Sequence, residues 1–495
     1  MKKLNFQNML NNQMNPKLVI NQKFGWLVVM LISIYQAAYS QKIANGGWHT
    51  LVVCEDSTVK AFGENASSQL GNNSTDDSNV PVTAIGLNGV IAVSAGGDQL
   101  EAHSMALKND GTVWTWGSNL YGALGNGLSG TQNNSSTPIQ VLVINNVKAI
   151  SAGGWHSVAL KQDGTVWTWG WNDDGQIGDG SNTNKTIPTQ VPNLNNVVQI
   201  AAGSYHNLAL KNDGTVWAWG DNLYGQLGDG SNSDKNTPVQ VLGLNNVVQI
   251  ASGRFFSMAV KSDGTLWAWG QNLYGQLGDN TTNDKNTPIQ VQGINNVSTL
   301  IACGAFHTIA IKNDGTVWTW GRNTYGNLGN NTVNNSSIPI QLTDVSNVQG
   351  VAAGTNFTTL FKNDGTFWGC GRNASGQLGD GTFLQRNTFT QSTAVCKIQS
   401  VLTSKKNPSQ SFYTVFPNPS HQGIFFLNFT EFPKTSEPIQ IFVYNSLGQV
   451  IYEKILQPYD YSETIKIDLS NQTSGFYTLQ VLTQDTKHFC KLVKP

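Results

Sequence analysis

The sequence predicts an all-β protein, a seven-bladed β-propeller followed by a small Ig-like β-sandwich. One motif, Lys-x-Asp-Gly-Thr-Val-Trp-x-Trp-Gly, returns at intervals of about 51 residues. The chain is rich in Gly (51) and Trp (15), and only 12% of its 495 residues are charged. This composition suits many short strands joined by tight turns. After residue 397 the motif stops and a second pattern of short alternating strands begins.

The charge balance excludes some classes of protein. Lys plus Arg number 29 and Asp plus Glu number 30, which gives a formal net charge of -1. A nucleic-acid partner is not expected, because a basic surface supplies most of the affinity for nucleic acid. Disorder is also excluded, since disordered chains combine high charge with few aromatic residues.

Residues 1–40 have the layout of a secretory signal peptide. Four lysines and no acidic residue stand before an apolar run from Phe24 to Tyr35, and Ala-Tyr-Ser follows as a small-x-small cleavage site. The run is shorter than the roughly 18 residues that a membrane span needs. We therefore expect export with cleavage between Ser40 and Gln41, and no transmembrane segment.

Each repeat between residues 41 and 397 divides into four strands. Ala-Gly-x-x-His-Ser-x-Ala-Leu alternates as a strand does, and Asp-Gly indicates a hairpin through a type I′ turn. Thr-Val-Trp-x-Trp-Gly returns as a β-branched and aromatic strand. Thr-Pro-x-Gln-Val and Asn-Asn-Val-x-x-Ile supply two more, which predicts a propeller blade. The turn aspartates are Asp110, Asp163, Asp213, Asp263, Asp314 and Asp364, with a degenerate first copy at Asp56.

The two ends of the array predict how the ring closes. Residues 42–47 match residues 148–154, a strand that ends a unit elsewhere, whereas the last unit, from Gly354 to about Val395, ends without such a strand. We therefore expect the N-terminal strand to complete the last blade. This pairing would remove the free sheet edge of an open ring.

At these repeats the chain resembles the regulator-of-chromosome-condensation repeat family. The resemblance lies in Ala-Gly-x-x-His-Ser-x-Ala-Leu and in Asp-Gly-x-Val-x-x-Trp-Gly-x-Asn-x-x-Gly-Gln-Leu-Gly, and it covers about 357 residues. It implies a seven-bladed propeller that acts by binding on its faces and loops.

A second module, residues 413–495, follows a polar linker at 398–412. It resembles the type A C-terminal sorting domain of the type IX secretion system of Bacteroidetes, in Phe416-Pro417-Asn418-Pro419, Ile467-Asp468-Leu469 and Gly475-Phe476-Tyr477. The resemblance implies periplasmic transit and engagement of the type IX machinery. We therefore expect a secreted or outer-surface protein; an ordinary Ig-like adhesive domain is the alternative.

The framework residues indicate packing. A histidine recurs at one position but is Phe256 and Phe357 in two units, which a catalytic or metal role would not tolerate. The paired tryptophans recur with the framework and indicate blade packing. The histidines are His49, His103, His156, His206 and His307, and the tryptophan pairs are Trp114/Trp116, Trp167/Trp169, Trp217/Trp219, Trp267/Trp269 and Trp318/Trp320.

No catalytic, metal or cofactor motif is present. Five cysteines without a CxxC pair do not favour zinc, and the Asp-rich loops lack the calcium pattern. A disulfide is allowed in an exported protein, but its pairing stays open. Cys54, Cys303 and Cys370 replace small or apolar residues of other repeats and are expected as buried hydrophobes. We expect a non-enzymatic protein without a cofactor.

Positions that differ between near-identical units predict the ligand site. Both sets stand at strand ends, and aromatic residues and Arg are typical of binding hot spots; packing is the alternative for the aromatic set. The set before the framework histidine is Trp48, Trp155, Tyr205, Phe255 and Phe306, with Asn356 in the last unit. The set after Trp-Gly is Ser118, Trp171, Asp221, Gln271, Arg322 and Arg372, with Glu64 in the first unit.

These patterns favour a secreted, non-enzymatic propeller that binds a protein or glycan on one face. Two alternatives come from the family resemblance. One is inhibition of an extracellular enzyme such as a β-lactamase, and the other is guanine-nucleotide exchange as in the eukaryotic archetype. An enzyme acting on glycans, such as a lyase, is a further alternative.

Overall fold

The computed structural model describes residues 42–97, 101–392, 395–396, 413–416, 420, 422–429, 438–445, 450–457, 464–473, 475–482 and 487–494. Contacts divide the chain into two compact units, Met1–Ser400 and Val401–Pro495. The predicted signal peptide with its cleavage site at Ser40 and Gln41, and the predicted linker at 398–412, lie outside the described residues.

The first unit contains seven four-stranded antiparallel sheets, each built from strands consecutive in the sequence. A short 3-10 helix, Thr131–Asn133, lies within the second repeat. The strand bounds are Ile43–Asn45, His49–Val53, Val59–Gly63 and Ser78–Thr83 in blade 1; Val90–Ala95, His103–Lys108, Val113–Gly117 and Ser135–Gln140 in blade 2; Val147–Ala152, His156–Lys161, Val166–Gly170 and Lys185–Gln190 in blade 3; Val197–Ala202, His206–Lys211, Val216–Gly220 and Lys235–Gln240 in blade 4; Val247–Ser252, Phe256–Lys261, Leu266–Gly270 and Lys285–Gln290 in blade 5; Val297–Cys303, His307–Lys312, Val317–Gly321 and Ser336–Leu342 in blade 6; and Val348–Ala353, Phe357–Lys362, Phe367–Gly371 and Arg386–Gln391 in blade 7.

The Asp-Gly hairpins form as predicted, but through a different turn. In blade 2 only Gly111 of the pair has a positive φ, 79°, whereas a type I′ turn needs two. Gly111 N donates to the carbonyl of Lys108, and Lys108 N donates to the carbonyl of Thr112. This is a three-residue loop that ends in a glycine bulge. Asp110 Oδ1 accepts from both Thr112 N (3.0 Å) and Thr112 Oγ1 (2.6 Å), so the aspartate braces the turn from its side chain.

The hydrophobic core lies between successive blades. The first strand of each blade contacts the first strands of its neighbours, so these strands form the inner wall of the ring. One core cluster joins Leu51 and Val53 of blade 1 to Ala106 and Trp116 of blade 2, and similar clusters join most of the following pairs. Each blade therefore covers its apolar face with the next blade.

The predicted route of ring closure is wrong. Ile43–Asn45 pairs with His49–Val53 in blade 1 and does not join blade 7. The inner position of blade 7 is already filled by Val348–Ala353 from its own repeat, and a short Gly-Gly turn leads Ile43–Asn45 directly into the next strand of blade 1. The ring closes because the inner strands of blades 1 and 7 contact each other side by side.

A disulfide joins the two ends of the ring. Cys54 and Cys396 are bonded, with their Cα atoms 5.6 Å apart. The expectation that Cys54 acts only as a small buried hydrophobe is therefore wrong, although the residue is buried. Its partner is 342 residues away and belongs to no repeat motif, so no spacing rule could have selected it. Cys370 is a buried free thiol and Cys303 is partly buried.

The second unit has two antiparallel sheets that enclose one apolar core. Residues of both sheets, such as Phe425 and Val443, are fully buried in this core, which is the predicted β-sandwich. One sheet contains Tyr413–Phe416, Ile424–Phe429 and Ile465–Asp468, and the other contains, in spatial order, Val450–Leu456, Ile439–Tyr444, Gly475–Leu482 and Lys487–Lys494.

Candidate functional site

The two predicted sets of variable residues lie side by side at one end of the blades. In each blade the second strand starts, and the third strand ends, at the same pair of residues, such as His156 and Gly170. The residues just beyond that pair are joined by a backbone hydrogen bond, as Trp171 N is to the carbonyl of Trp155 (3.0 Å). The same bond joins Glu64 to Trp48, Asp221 to Tyr205, Gln271 to Phe255, Arg322 to Phe306 and Arg372 to Asn356.

These pairs surround one mouth of the central cavity, and we call this surface the aromatic face. The cavity has a volume of about 80 Å³ and is lined mainly by small residues at the ends of the inner strands. The residue before each member of the first set, Asn356 included, lines this cavity. Arg254 of blade 5 is the one charged side chain among the described residues lining this cavity.

Blades 2 to 5 contribute a connected group of rings, which we call the aromatic crescent. Trp155 packs edge-on against Trp171 with ring centroids 5.3 Å apart and against Tyr205 at 5.5 Å. Tyr205 stacks flat on Phe255 at 4.8 Å. Tyr121 extends the group on the blade 2 side, and Tyr224 contacts Phe255. All these rings are half-buried, so they pack on one another and still reach the surface.

Three arginines, which belong to blades 5 to 7, lie over aromatic rings. The guanidinium carbon of Arg254 lies 5.1 Å from the ring centroid of Phe255. That of Arg322 lies 5.0 Å from Tyr274, and that of Arg372 lies 4.2 Å from Trp48. Cation–π contact holds each of these three guanidinium groups over a ring.

Some members of the second set do not project as the sequence predicted. Asp221 and Gln271 are buried, with 9% and 7% of their surface exposed, as are Glu64 and Ser118. Asp221 Oδ1 accepts from Leu223 N at 2.9 Å, and Ser118 donates to Glu101. These four polar side chains are buried, whereas the larger Trp171, Arg322 and Arg372 are half-buried and reach the face.

Burial changes the ionisation of two acids at this face. Desolvation raises the pKa of Glu64 to about 7, with Asp77 adding to the rise and Arg372 opposing it. Desolvation also raises the pKa of Asp221 to about 6, although the hydrogen bond from Leu223 N opposes the shift. Both carboxyl groups therefore take up protons close to neutral pH.

The framework histidines lie in the core, as the sequence predicted. Each is fully or almost fully buried, and its Nε2 contacts a side-chain oxygen of the next blade, as His49 does with Ser104 Oγ at 2.9 Å. Burial lowers the pKa of His49 to about 3, so the ring stays neutral. The second tryptophan of each pair is also buried, and Trp116 Nε1 donates to the carbonyl of Gln69 in the preceding blade (2.8 Å). These residues join the blades to one another.

Sequence reasoning missed the outer ring of tyrosines and Arg254. Tyr224, Tyr274 and Tyr325 each stand three residues after a member of the second set, and all three contact residues of the face. These tyrosines recur at the same place in most units, and variation between units therefore does not single them out. Arg254 stands where five other units carry a small residue, and this difference is a signal in the sequence. Within the described ranges, no group of His, Cys, Asp and Glu is placed to hold a metal ion.

Four family models match parts of the chain. The RCC1-like domain matches residues 28–300, and the regulator of chromosome condensation (RCC1) repeat matches residues 299–327 and 314–361. The secretion system C-terminal sorting domain matches residues 414–495. Since the first match spans more than half of the chain, the protein belongs to the RCC1-like domain family, and it carries a type IX sorting domain at its C-terminus.

Two curated proteins are similar in sequence to parts of this chain. Human E3 ubiquitin-protein ligase HERC2 is 37% identical over 139 residues, which are 28% of this chain and 3% of that protein. The ultraviolet-B receptor UVR8 of Arabidopsis thaliana is 33% identical over 143 residues, 28% of this chain and 31% of that protein. The chain thus spans less than a third of the length of these curated relatives.

Two solved structures share the propeller. Human WBSCR16 aligns with a TM-score of 0.57 at 27% identity, over 64% of this chain and 86% of its own. Yeast RCC1 (Prp20) in complex with Kap60 aligns with a TM-score of 0.62 at 23% identity, over 77% and 89% of the two chains. The second likeness shows the fold alone.

The fold and the sorting domain together define a secreted propeller protein. The sorting domain marks the chain for secretion or the cell surface through the type IX system. No helix within the described residues is long and apolar enough to cross a membrane.

Proposed function

We propose that this RCC1-like propeller is a non-enzymatic binding protein that holds a protein ligand on its aromatic face. The convergence of the two variable sets around one cavity mouth carries the proposal. Trp, Tyr and Arg are the residues that dominate protein–protein hot spots. Here they form a continuous surface on rigid blade ends, while the corresponding framework positions are buried between blades.

The way the rings pack favours a protein ligand over a glycan. A sugar ring stacks on an open aromatic face, but Tyr205 and Phe255 stack on each other. Arg372 covers Trp48, and Arg322 lies 5.5 Å from Phe306. A protein surface can use the remaining ring edges and the guanidinium groups together. Binding of a glycan instead of a peptide is the alternative outcome of the test below.

The polar groups of the face support binding rather than catalysis. The framework histidines are buried and neutral, so they are poorly placed to exchange protons with a substrate. Asp221 and Glu64 are enclosed beneath the surface. The inhibitor and nucleotide-exchange alternatives are narrower forms of protein binding and stay predictions; incubation with class A β-lactamases and an exchange assay would test them directly.

The test screens the full chain against a random peptide library and a glycan array. We expect peptide binding, and we expect Trp171→Ala and Arg322→Ala each to weaken the best peptide about tenfold or more. The matched control is Trp217→Ala, because Trp217 is also half-buried but lies under Lys211 away from the face. Thermal unfolding of each variant separates lost contact from lost fold.

Two outcomes would contradict the proposal. Binding to glycans without any peptide binding would assign the face to sugars. Peptide binding that survives Trp171→Ala and Arg322→Ala in folded protein would place the ligand elsewhere on the propeller.

A further inference from the structure

The charges of the aromatic face are divided between its two sides, and this division specifies the ligand more closely. We propose that blades 6 and 7 recognise carboxylate side chains, so that the ligand is an acidic protein segment with apolar residues beside it. The proposal rests on the proposed binding function. We call Trp48, Arg322, Tyr325, Asn356 and Arg372 the arginine sector.

The two arginines of this sector are held by aromatic rings. Arg322 lies over Tyr274 at 5.0 Å and Phe306 at 5.5 Å, and Arg372 lies over Trp48 at 4.2 Å and Tyr325 at 5.8 Å. In the described part of the chain neither forms an ion pair.

Arg386 of blade 7 shows the contrasting arrangement. Its Nη2 lies 2.8 Å from Asp380 Oδ2, so its charge is already paired. The rings fix Arg322 and Arg372 in place without using up their charge, which leaves planar forks suited to bidentate contact with a carboxylate.

Polar groups beside these arginines lack partners. Asn356 is 6% exposed and stands where five other blades carry an aromatic residue, and its Oδ1 accepts no hydrogen bond from the described residues. Rotation of the amide by 180° would place a donor at the same point. Trp48 Nε1, next to Arg372, is a buried donor without an acceptor within the same ranges. A carboxylate supplies the acceptors that this sector lacks.

The protein's own acids do not neutralise this sector. Arg322 has no carboxylate in contact, and its Nε donates to Thr324 Oγ1 (3.2 Å). Glu64 is the acid that acts on Arg372, and its desolvation and the neighbouring Asp77 keep it partly protonated near neutral pH. Glu101, Asp174 and Asp221 belong to blades 2 to 4, which also carry most of the aromatic crescent.

The crescent favours a peptide over a free anion. Phe306 contacts Arg322, and Arg254 bridges Phe306 and Phe255 with distances of 5.7 and 5.1 Å to their centroids. A ligand with its carboxylates on blades 6 and 7 would therefore lay its next residues across Phe306 and Phe255 toward Trp155. An acidic segment followed by apolar side chains fits this sequence of contacts.

The experiment selects binders to the full chain from a random peptide library. We expect Asp and Glu to be enriched next to apolar residues. Changing those Asp and Glu to Asn and Gln should lower the affinity at least about tenfold. The double variant Arg322→Gln/Arg372→Gln should lose the same affinity for the acidic peptide and no longer distinguish it from its amide form.

The control removes two positive charges elsewhere. The control is the double variant Lys185→Gln/Lys235→Gln. In the wild type these two lysines lie on the outer strands of blades 3 and 4 and pair with Asp179 and Asp229. This variant should bind the acidic peptide as the wild type does. If the arginine variant fails to fold, Arg322→Lys/Arg372→Lys keeps the charge and loses the planar fork, and it should bind several-fold more weakly.

The contrary outcomes separate this inference from the proposed function. Apolar peptides without acidic residues, bound through Trp171, would overturn the inference and leave the proposed function intact. Equal loss in the lysine control would show a general charge effect and also overturn it. Binding of sulfated or carboxylated glycans without any peptide binding would overturn both proposals.

Discussion

The junction between blades 1 and 2 and the junction that closes the ring between blades 7 and 1 are built differently. At the first junction Ser104 Oγ donates to the carbonyl of Gln69 (2.7 Å), Trp116 Nε1 donates to the same carbonyl (2.8 Å), and His49 Nε2 contacts Ser104 Oγ (2.9 Å). Three polar contacts therefore support the apolar cluster between these blades.

The closing junction keeps one of these three contacts. Thr50 Oγ1 donates to the carbonyl of Gln377 at 2.9 Å, but Phe357 stands in place of the histidine and Phe62 in place of the tryptophan. It gains the Cys54–Cys396 disulfide and a bond from Thr359 Oγ1 to Asn45 Oδ1 (3.0 Å).

This difference shows how the ring stays closed although no blade combines strands from the two ends of the chain. Every blade is made of its own consecutive strands, so within the described residues no strand pairing joins blade 7 to blade 1. A covalent bond and apolar contacts, such as the edge-on pair of Phe62 and Phe367 at 5.7 Å, take that role.

The largest expected effect comes from opening the disulfide. Cys54→Ser/Cys396→Ser should lower the free energy of unfolding of the propeller by about 2–5 kcal/mol, because the bond closes a very long loop in the unfolded chain. Urea unfolding with and without reductant measures it. Reductant should destabilise the wild type and leave the double variant unchanged; a wild type insensitive to reductant would show that the closing junction needs no covalent bond.

Acid should weaken the regular junctions more than the closing one. The buried histidines keep a pKa of about 3 or 4 when folded and regain their ordinary value when unfolded. Between about pH 6.5 and 4 the unfolded chain therefore binds more protons at these sites, and stability falls as pH falls. Glu64 and Asp221 act in the opposite sense, because their raised pKa lets the folded state bind protons first.

The histidine part of this slope can be isolated. His206→Phe should reduce the pH dependence of the unfolding free energy by about 1.4 kcal/mol per pH unit over that range. Urea unfolding at several pH values checks the change. An unaltered slope would mean that His206 is not neutral in the folded protein.

A smaller loss is expected from one tryptophan. Trp116→Phe should cost about 1–2 kcal/mol, because it removes the indole donor to Gln69 and makes the junction of blades 1 and 2 like the closing one. Trp114→Phe is the matched control, since Trp114 is half-buried and its Nε1 donates only to the nearby Thr112 Oγ1 (3.3 Å). Equal losses in chemical denaturation would argue against the inter-blade bond.

The smallest effect is expected from His49→Phe at pH 7, less than about 1 kcal/mol. Ser104 Oγ keeps its bond to Gln69, and the chain itself carries phenylalanine at this position in blades 5 and 7. Thermal unfolding gives the comparison. A loss well above 2 kcal/mol would show that the histidine bond carries more of the junction than its geometry implies.

Much of the candidate site can be predicted from the sequence. Variation between units identifies the residue before the framework histidine and the residue after Trp-Gly. In the structure a backbone hydrogen bond joins these two residues. The sequence could not tell which side chains reach the surface. Asp221 and Arg322 occupy the same repeat position, but side-chain length and the neighbouring loop decide that one is buried and the other is not.

The amino-acid sequence alone predicts seven units of four strands, the hairpins at Asp-Gly and the second β module, because these depend on local turns and on alternation along single strands. It left the phase of the repeat open. In a circular array, the sequence pattern of an inner strand fits the end of one unit as well as the start of the next. The sequence therefore predicts blade 7 for Ile43–Asn45, whereas the strand belongs to blade 1. The tertiary structure decided that phase, the Cys54–Cys396 pair and the sharing of rings among several blades, since each of these depends on contacts between residues far apart in the chain.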